Sequence, residues 1–230
     1  MDPRAAEKRA AAEAAVALVQ DGMAVGLGTG STAYFVVELL AGRVRAGLSI
    51  VAIPTSERTA AQARSGGITL TSFAEHSKLD LTIDGADEIA RGTLNLIKGL
   101  GGALLREKIV AAGSDRLVIV ADDSKLVDQL GERGPVPVEV VSFGWEATGA
   151  RLARLGANPV LRQNGQGQPF RSDGGNFILD CHFGPIAEPD RLERELVQIV
   201  GVVEAGLFVG MAGVALVAGP GGVQQLNRLA

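Results

Sequence analysis

Asp80-Leu-Thr-Ile-Asp84-Gly-Ala-Asp87-Glu88-Ile, followed by Leu96-Ile-Lys98-Gly-Leu-Gly-Gly102-Ala-Leu-Leu-Arg106-Glu107-Lys108-Ile, decides the fold class. An apolar run (Leu79, Leu81, Ile83) ends in a carboxylate-rich turn. A second run (Leu94, Leu96, Ile97) ends in a lysine, a glycine cluster and an amphipathic helix. The order is strand, turn, strand, glycine loop, helix. Ionisable groups at the C-terminal ends of strands mark ligand crevices in open parallel sheets.

Upstream, residues 3–20 are alanine-rich and predict a helix stopped at Asp21-Gly22. Residues 23–27 read as a strand entering Gly26-Leu-Gly28-Thr29-Gly30-Ser31-Thr32-Ala33, with a helix over 34–40 that stops near Gly42. Glycines at such a junction let backbone N–H groups converge at a helix N-terminus, where a phosphate is favoured. Gly28-x-Gly30-x-x-Ala33 also fits the dinucleotide fingerprint, which wants an acid at the end of the next strand. Here residues 49–53 are followed by Pro54-Thr55-Ser56 instead. The loop therefore suits a single phosphate better than a pyrophosphate, with a purely structural turn as the remaining reading.

A helix from Glu57, with Thr55 and Ser56 as possible caps, and strands over 68–71, 79–83, 95–97 and 116–121 extend the alternation. Such alternation predicts an α/β, Rossmann-like, doubly wound and mostly parallel sheet. Gly131, Gly134, Pro135 and Pro137 then mark a boundary. Beyond it, a strand at 137–141, a helix at 145–155, strands at 159–162 and 176–181 and a helix at 190–199 resemble a small ferredoxin-like α+β unit. Strands at 202–204, 207–209 and 214–217 are expected to return to the first sheet. The expected division is 1–132 with 207–230 as the Rossmann-like catalytic domain, and 133–206 as a smaller α+β lid.

The 230 residues are 47% hydrophobic and 4% aromatic, with a net charge of −4 and no basic block. That balance argues against nucleic acid as a partner, so any bound anion is held by a local pocket. Cys181 is the sole cysteine, which excludes an intrachain disulfide and a cysteine-cluster zinc site. His76 and His182 leave little for a histidine-based metal centre. The charged N-terminal residues do not read as a signal peptide, and no run reaches the ~20 apolar residues of a membrane span. A cytoplasmic protein with no membrane association is the expectation.

Asp84, Asp87, Lys98 and Glu107 together match one chemistry. Moving a proton between adjacent carbons of a sugar phosphate needs a carboxylate base, and support for an enediolate oxygen. Opening a furanose ring needs a further acid or base. Singly, each residue has a plainer reading: Asp84 and Asp87 as turn caps, Lys98 as a strand-end charge, Glu107 between Arg106 and Lys108 as a solvated helix charge, and Lys125 and Lys8 as surface lysines.

Four motifs stand together: Gly28-Thr-Gly-Ser-Thr-Ala33, Asp84-Gly-Ala-Asp-Glu88, Lys98-Gly-Leu-Gly-Gly-Ala-Leu-Leu-Arg-Glu-Lys108 and Asp123-Ser-Lys125. With them the chain resembles the type A ribose-5-phosphate isomerases over nearly its whole length. The resemblance implies interconversion of D-ribose 5-phosphate and D-ribulose 5-phosphate, a step of the non-oxidative pentose phosphate pathway, without metal or organic cofactor. It also implies homodimers. By position, Glu107 matches the base, and Asp84, Asp87 and Lys98 match the ring-opening and intermediate-stabilising groups. Substrate-binding positions are Thr29, Gly30, Ser31 and Thr32; Asp84, Gly85, Ala86 and Asp87; Lys98, Gly99, Leu100 and Gly101; and Lys125, with Lys8 near the phosphate. Leu100 interrupts a run that is often all glycine. Gly174 replaces a common asparagine, and Gly219-Pro-Gly-Gly222 lacks an acid often found there. Competing readings are a non-catalytic sugar-phosphate sensor on the same fold, which would not need all four ionisable groups, and a related transferase or deaminase.

Overall fold

The computed structural model describes residues 4–229. Pro3, the expected first residue of the N-terminal helix, and the outermost residues of the expected division, 1–3 and 230, lie outside them.

Seven strands form the main sheet, in the order Gly222–Asn227, Val214–Gly219, Leu117–Asp122, Leu81–Asp84, Ala24–Leu27, Val51–Pro54, Thr69–Leu70. All neighbours run parallel except the first pair, an antiparallel hairpin at the edge. Its parallel strands are covered on both faces, so they carry continuous apolar runs. Within Leu117–Asp122 the residues alternate by face. Val118 and Val120 pack with the Ala5–Val16 and Ser31–Arg45 helices, while Leu117, Ile119 and Ala121 join Leu96, Leu126 and Phe208. Each fully buried side chain of this kind, Leu40 for example, contributes about 1.5–3 kcal/mol.

A second, antiparallel sheet has the order Asn158–Leu161, Phe177–His182, Val136–Val140, Val202–Ala205, with the helices Trp145–Arg154 and Pro189–Val197 between its strands. In chain order this is β-α-β-β-α-β, the ferredoxin-like arrangement.

Four expectations need correction. The segment Val202–Ala205 does not return to the first sheet; it completes the second, pairing with Val136–Val140. Leu207–Phe208 also stays out, pairing with Leu96–Ile97. Leu96–Ile97 is itself not a strand of the parallel sheet. It belongs to a third, small sheet with Glu88–Ala90, Leu126–Val127 and Leu207–Phe208. Two-residue apolar strands carry no signal of which sheet they join, because burial alone is satisfied by either. The polar strand Gly222–Asn227, mostly exposed, has no hydrophobic alternation to announce it. Finally, the second helix runs on to Arg45, through Gly42, since one glycine costs a buried helix only about 1 kcal/mol.

Candidate active site

Strand order reverses at Ala24–Leu27, whose neighbours are Val51–Pro54 and Leu81–Asp84. A crevice opens there, beyond the strands' C-terminal ends. The loop after Ala24–Leu27 enters it through Gly30, at φ 124°, a conformation that favours glycine. Gly30 N-caps the Ser31–Arg45 helix, and its carbonyl accepts from Tyr34 N–H at 2.9 Å. The first-turn amides lack earlier helical carbonyls and are available to an anion. Gly28 answers a different need: a Cβ there would lie 2.1 Å from Asp84 Oδ1.

Asp84 ends its strand beneath this loop. Its Oδ1 accepts from the backbone N–H groups of Thr29 (3.0 Å) and Gly85 (2.7 Å). Its Oδ2 meets Lys98 Nζ at 3.0 Å as a buried ion pair. Lys98 Nζ donates to the Gly85 carbonyl at 2.6 Å and stands 3.3 Å from Glu107 Oε1. All three side chains are buried. The second Glu107 oxygen, Oε2, has no hydrogen-bond partner.

Glu107 is only 4% exposed, on the first turn of the Leu104–Ala112 helix. Burial pushes its carboxyl up to about 8; Lys98 opposes the rise, and the charges of Asp84 and Asp87 add to it. Asp84 is raised as well, by burial, against the pull of Lys98 and its hydrogen bonds. Burial works against the Lys98 charge, but Asp84, Glu107 and Asp87 outweigh it and hold the ammonium above its ordinary value. The site thus pairs a permanent cation with a carboxyl able to take or give a proton near neutrality.

Of the expected catalytic and substrate-binding residues, all but Asp84, Leu100 and Lys8 line one cleft of about 80 Å³. Asp84 lies behind its wall, holding Lys98. Leu100, 47% exposed, lines an adjoining cleft of about 270 Å³, which shares Asp87 and Lys125 with the first. The Leu100 N–H donates to Asp87 Oδ2 at 2.9 Å. From the first helix, Lys8 Nζ donates to Ser31 Oγ at 2.9 Å.

Other contributors carry no local signal. Thr29 Oγ1 is engaged with Thr55 (2.7 Å), Ser56 (2.8 Å) and Thr59 (3.1 Å), a buried hydroxyl cluster that fixes the loop from below. Ser56, expected as a cap, does cap the Glu57–Ser65 helix, accepting from Thr59 N–H at 3.1 Å. Arg162, paired with Asp180, donates to the carbonyls of Gly99 (2.8 Å) and Leu100 (3.1 Å). Cross-strand register predicts an Arg–Asp pair once the hairpin is known, but nothing local predicts a contact with a loop some sixty residues away. Among the described residues, one carboxylate trio, Glu7, Asp122 and Asp123, is close enough to hold a cation. Arg4 ion-pairs with all three and supplies positive charge there.

The sequence pattern of the ribose 5-phosphate isomerase A (phosphoriboisomerase A) family matches residues 51–222. The chain is 63% identical over 220 residues to ribose-5-phosphate isomerase A of Gloeobacter violaceus, covering 96% of this chain and 95% of that protein. It is 56% identical to the Gluconobacter oxydans protein of the same name, with 94% of each covered. Among solved structures, ribose 5-phosphate isomerase A of Methanocaldococcus jannaschii superposes with a TM-score of 0.94 at 38% identity, over 98% of this chain and 100% of that one. A D-ribose-5-phosphate isomerase in complex with phospho-erythronic acid also gives 0.94, at 37% identity, over 97% and 98%.

Proposed function

This chain belongs to the ribose 5-phosphate isomerase A family, and we propose that it interconverts D-ribose 5-phosphate and D-ribulose 5-phosphate through an enediolate, with Glu107 as the base. The observation that carries the assignment is the unpartnered Glu107 Oε2, buried beside the Lys98 ammonium in the cleft that also holds the Thr29–Thr32 loop.

The substrate phosphate sits against the first-turn amides of the Ser31–Arg45 helix, with Lys8 and Lys125 adding positive charge. Asp87, at the junction of the two clefts, exchanges the proton that opens the furanose ring. Glu107 takes the proton from C2 of the open aldose and returns it to C1. Lys98 stabilises the oxygen that becomes negative between those steps, while Asp84 holds Lys98 in place. The bound phospho-erythronic acid of the similar enzyme is a short polyol with a phosphate at one end and a carboxylate at the other. A site for it must offer an anion cradle and a cation at opposite ends, and here those are the helix terminus and Lys98.

The reading extends to a cytoplasmic homodimer of the pentose phosphate pathway, with no nucleic-acid or membrane partner. Among the described residues no helix is long and apolar enough to cross a membrane. Residues 1–132 with 207–230 form its catalytic unit, and 133–206 its lid. The test is a coupled assay with ribose 5-phosphate, in the presence of a chelator, for the wild type and Glu107→Gln. Wild-type turnover with a variant that binds substrate but turns over at least a hundredfold more slowly is expected. A variant with near wild-type turnover removes Glu107 from the role.

A further inference from the structure

Lys98 and Glu107 come from different elements joined by a glycine loop, yet their charged atoms lie 3.3 Å apart in a buried site. We propose that the segment Glu204-Ala-Gly-Leu-Phe208, acting through Lys108, is a brace that sets this separation. Lys108 and Phe208 are its positioning residues. The inference rests on the roles given above to Glu107 and Lys98.

One end of the brace holds Lys98. Its backbone N–H donates to the Gly206 carbonyl at 2.9 Å, and the following pairs Leu207↔Ile97 and Phe208↔Leu96 lock the strand that carries it. The Phe208 ring, fully buried, has its centroid 5.4 Å from Lys98 Nζ. The other end holds the helix of Glu107. Lys108, the next residue, places Nζ 2.8 Å from Glu193 Oε1, 2.9 Å from Glu204 Oε1 and 5.0 Å from the same Phe208 ring. Glu204 Oε1 also accepts from Ala205 N–H at 2.8 Å, so the carboxylate is anchored to its own strand.

A helix lysine beside a catalytic glutamate is ordinarily a solvated charge. This one is 12% exposed, with two carboxylates converging on it. Without the ammonium, Glu193 and Glu204 repel, and the helix loses its tie to the Glu204–Phe208 segment, whose later residues fix Lys98. The phosphate cradle lies on other elements and is untouched. The brace therefore governs the chemical step rather than substrate capture, where a displacement near 1 Å is costly.

Lys108→Met keeps the stem and removes the charge, and Lys108→Arg keeps the charge. The expected result is a kcat lowered about tenfold or more in Lys108→Met with KM within about twofold, and most of it recovered in Lys108→Arg. A wild-type kcat per folded molecule in Lys108→Met overturns the brace, whatever the unfolding midpoint does, because a merely structural contact would move only the latter. A loss that Lys108→Arg does not restore overturns it as well. Should Lys108→Met fail to accumulate folded, Glu204→Gln is read by the same kcat criterion. Glu107→Gln, assayed alongside, separates the two hypotheses. If it stays active, the catalytic assignment fails. If it is inactive while the Lys108 and Glu204 variants are wild-type, the brace alone fails.

Discussion

Glu88 and Glu107 are glutamates of nearly equal burial, 2% and 4% exposed, on opposite sides of the glycine loop in sequence. Their surroundings differ completely. Glu88 accepts from the backbone N–H groups of Gly131 (2.6 Å), Arg133 (2.9 Å) and Gly134 (3.0 Å), so both its oxygens are engaged in holding a turn. Glu107 has one oxygen near an ammonium and the other with no partner. Native interiors pair nearly all their buried polar atoms, so an orphan asks for an explanation that a satisfied group does not. Burial alone therefore does not mark a functional carboxylate. What marks it is burial with acceptor capacity kept in reserve for something outside the fold.

That contrast predicts opposite phenotypes. Glu107→Gln is expected to lower kcat by about 10²–10⁴, with an unfolding free energy at pH 7 at or above that of wild type, because the amide needs no proton that the unfolded carboxyl has already released. The amide copies the shape of the protonated carboxyl that a value of about 8 favours there. Glu88→Ala is expected to cost roughly 3 kcal/mol or more in a urea denaturation series, since three N–H groups lose their acceptor, while kcat per folded molecule stays near wild type. Exchange of these outcomes between the two residues would sink the distinction.

The pH dependence sharpens it. In its proposed role as base, Glu107 must be ionised, so kcat/KM is expected to rise with pH up to about 8. Stability moves the other way. Between the ordinary carboxyl value of 4.5 and about 8, the native state binds a proton at Glu107 that the unfolded chain has released. The contribution is thus full below the lower value and lost as pH rises through the upper one. Lys98, held above its ordinary value, stays charged throughout this window. Melting curves of wild type and Glu107→Gln at pH 6 and pH 9 check it: the wild type should lose more on the alkaline side, and parallel curves would refute the assignment. The smallest effect is expected at the hydroxyl cluster beneath Thr29, polar and satisfied yet next to the cleft. Ser56→Ala should cost about 1 kcal/mol through its lost cap and leave kcat within about twofold. A large kcat loss there would show that satisfied neighbours share in the chemistry.

Much of the candidate site was legible in the sequence. Strand-ending carboxylates, a lysine before glycines and a glycine loop opening a helix are local patterns, and local patterns survive folding because backbone geometry enforces them. The ferredoxin-like unit was legible for the same reason, apart from its last strand. Lys108 and Phe208 were not, because what each does depends on residues as much as a hundred positions away. Glu107 lies between these cases: motif resemblance singled it out, whereas its flanking Arg106 and Lys108 favoured a surface charge.

By itself, then, the sequence determined most of the element order, the parallel sheet and the residues proposed for the chemistry, since periodicity and turn chemistry act over a few residues. Only the tertiary structure decided that Leu96–Ile97 leaves the main sheet, that Val202–Ala205 completes the second, and that one Glu107 oxygen is buried without a partner. Sheet membership of short apolar strands and the desolvation of a single carboxyl are settled by long-range packing, which no local pattern encodes.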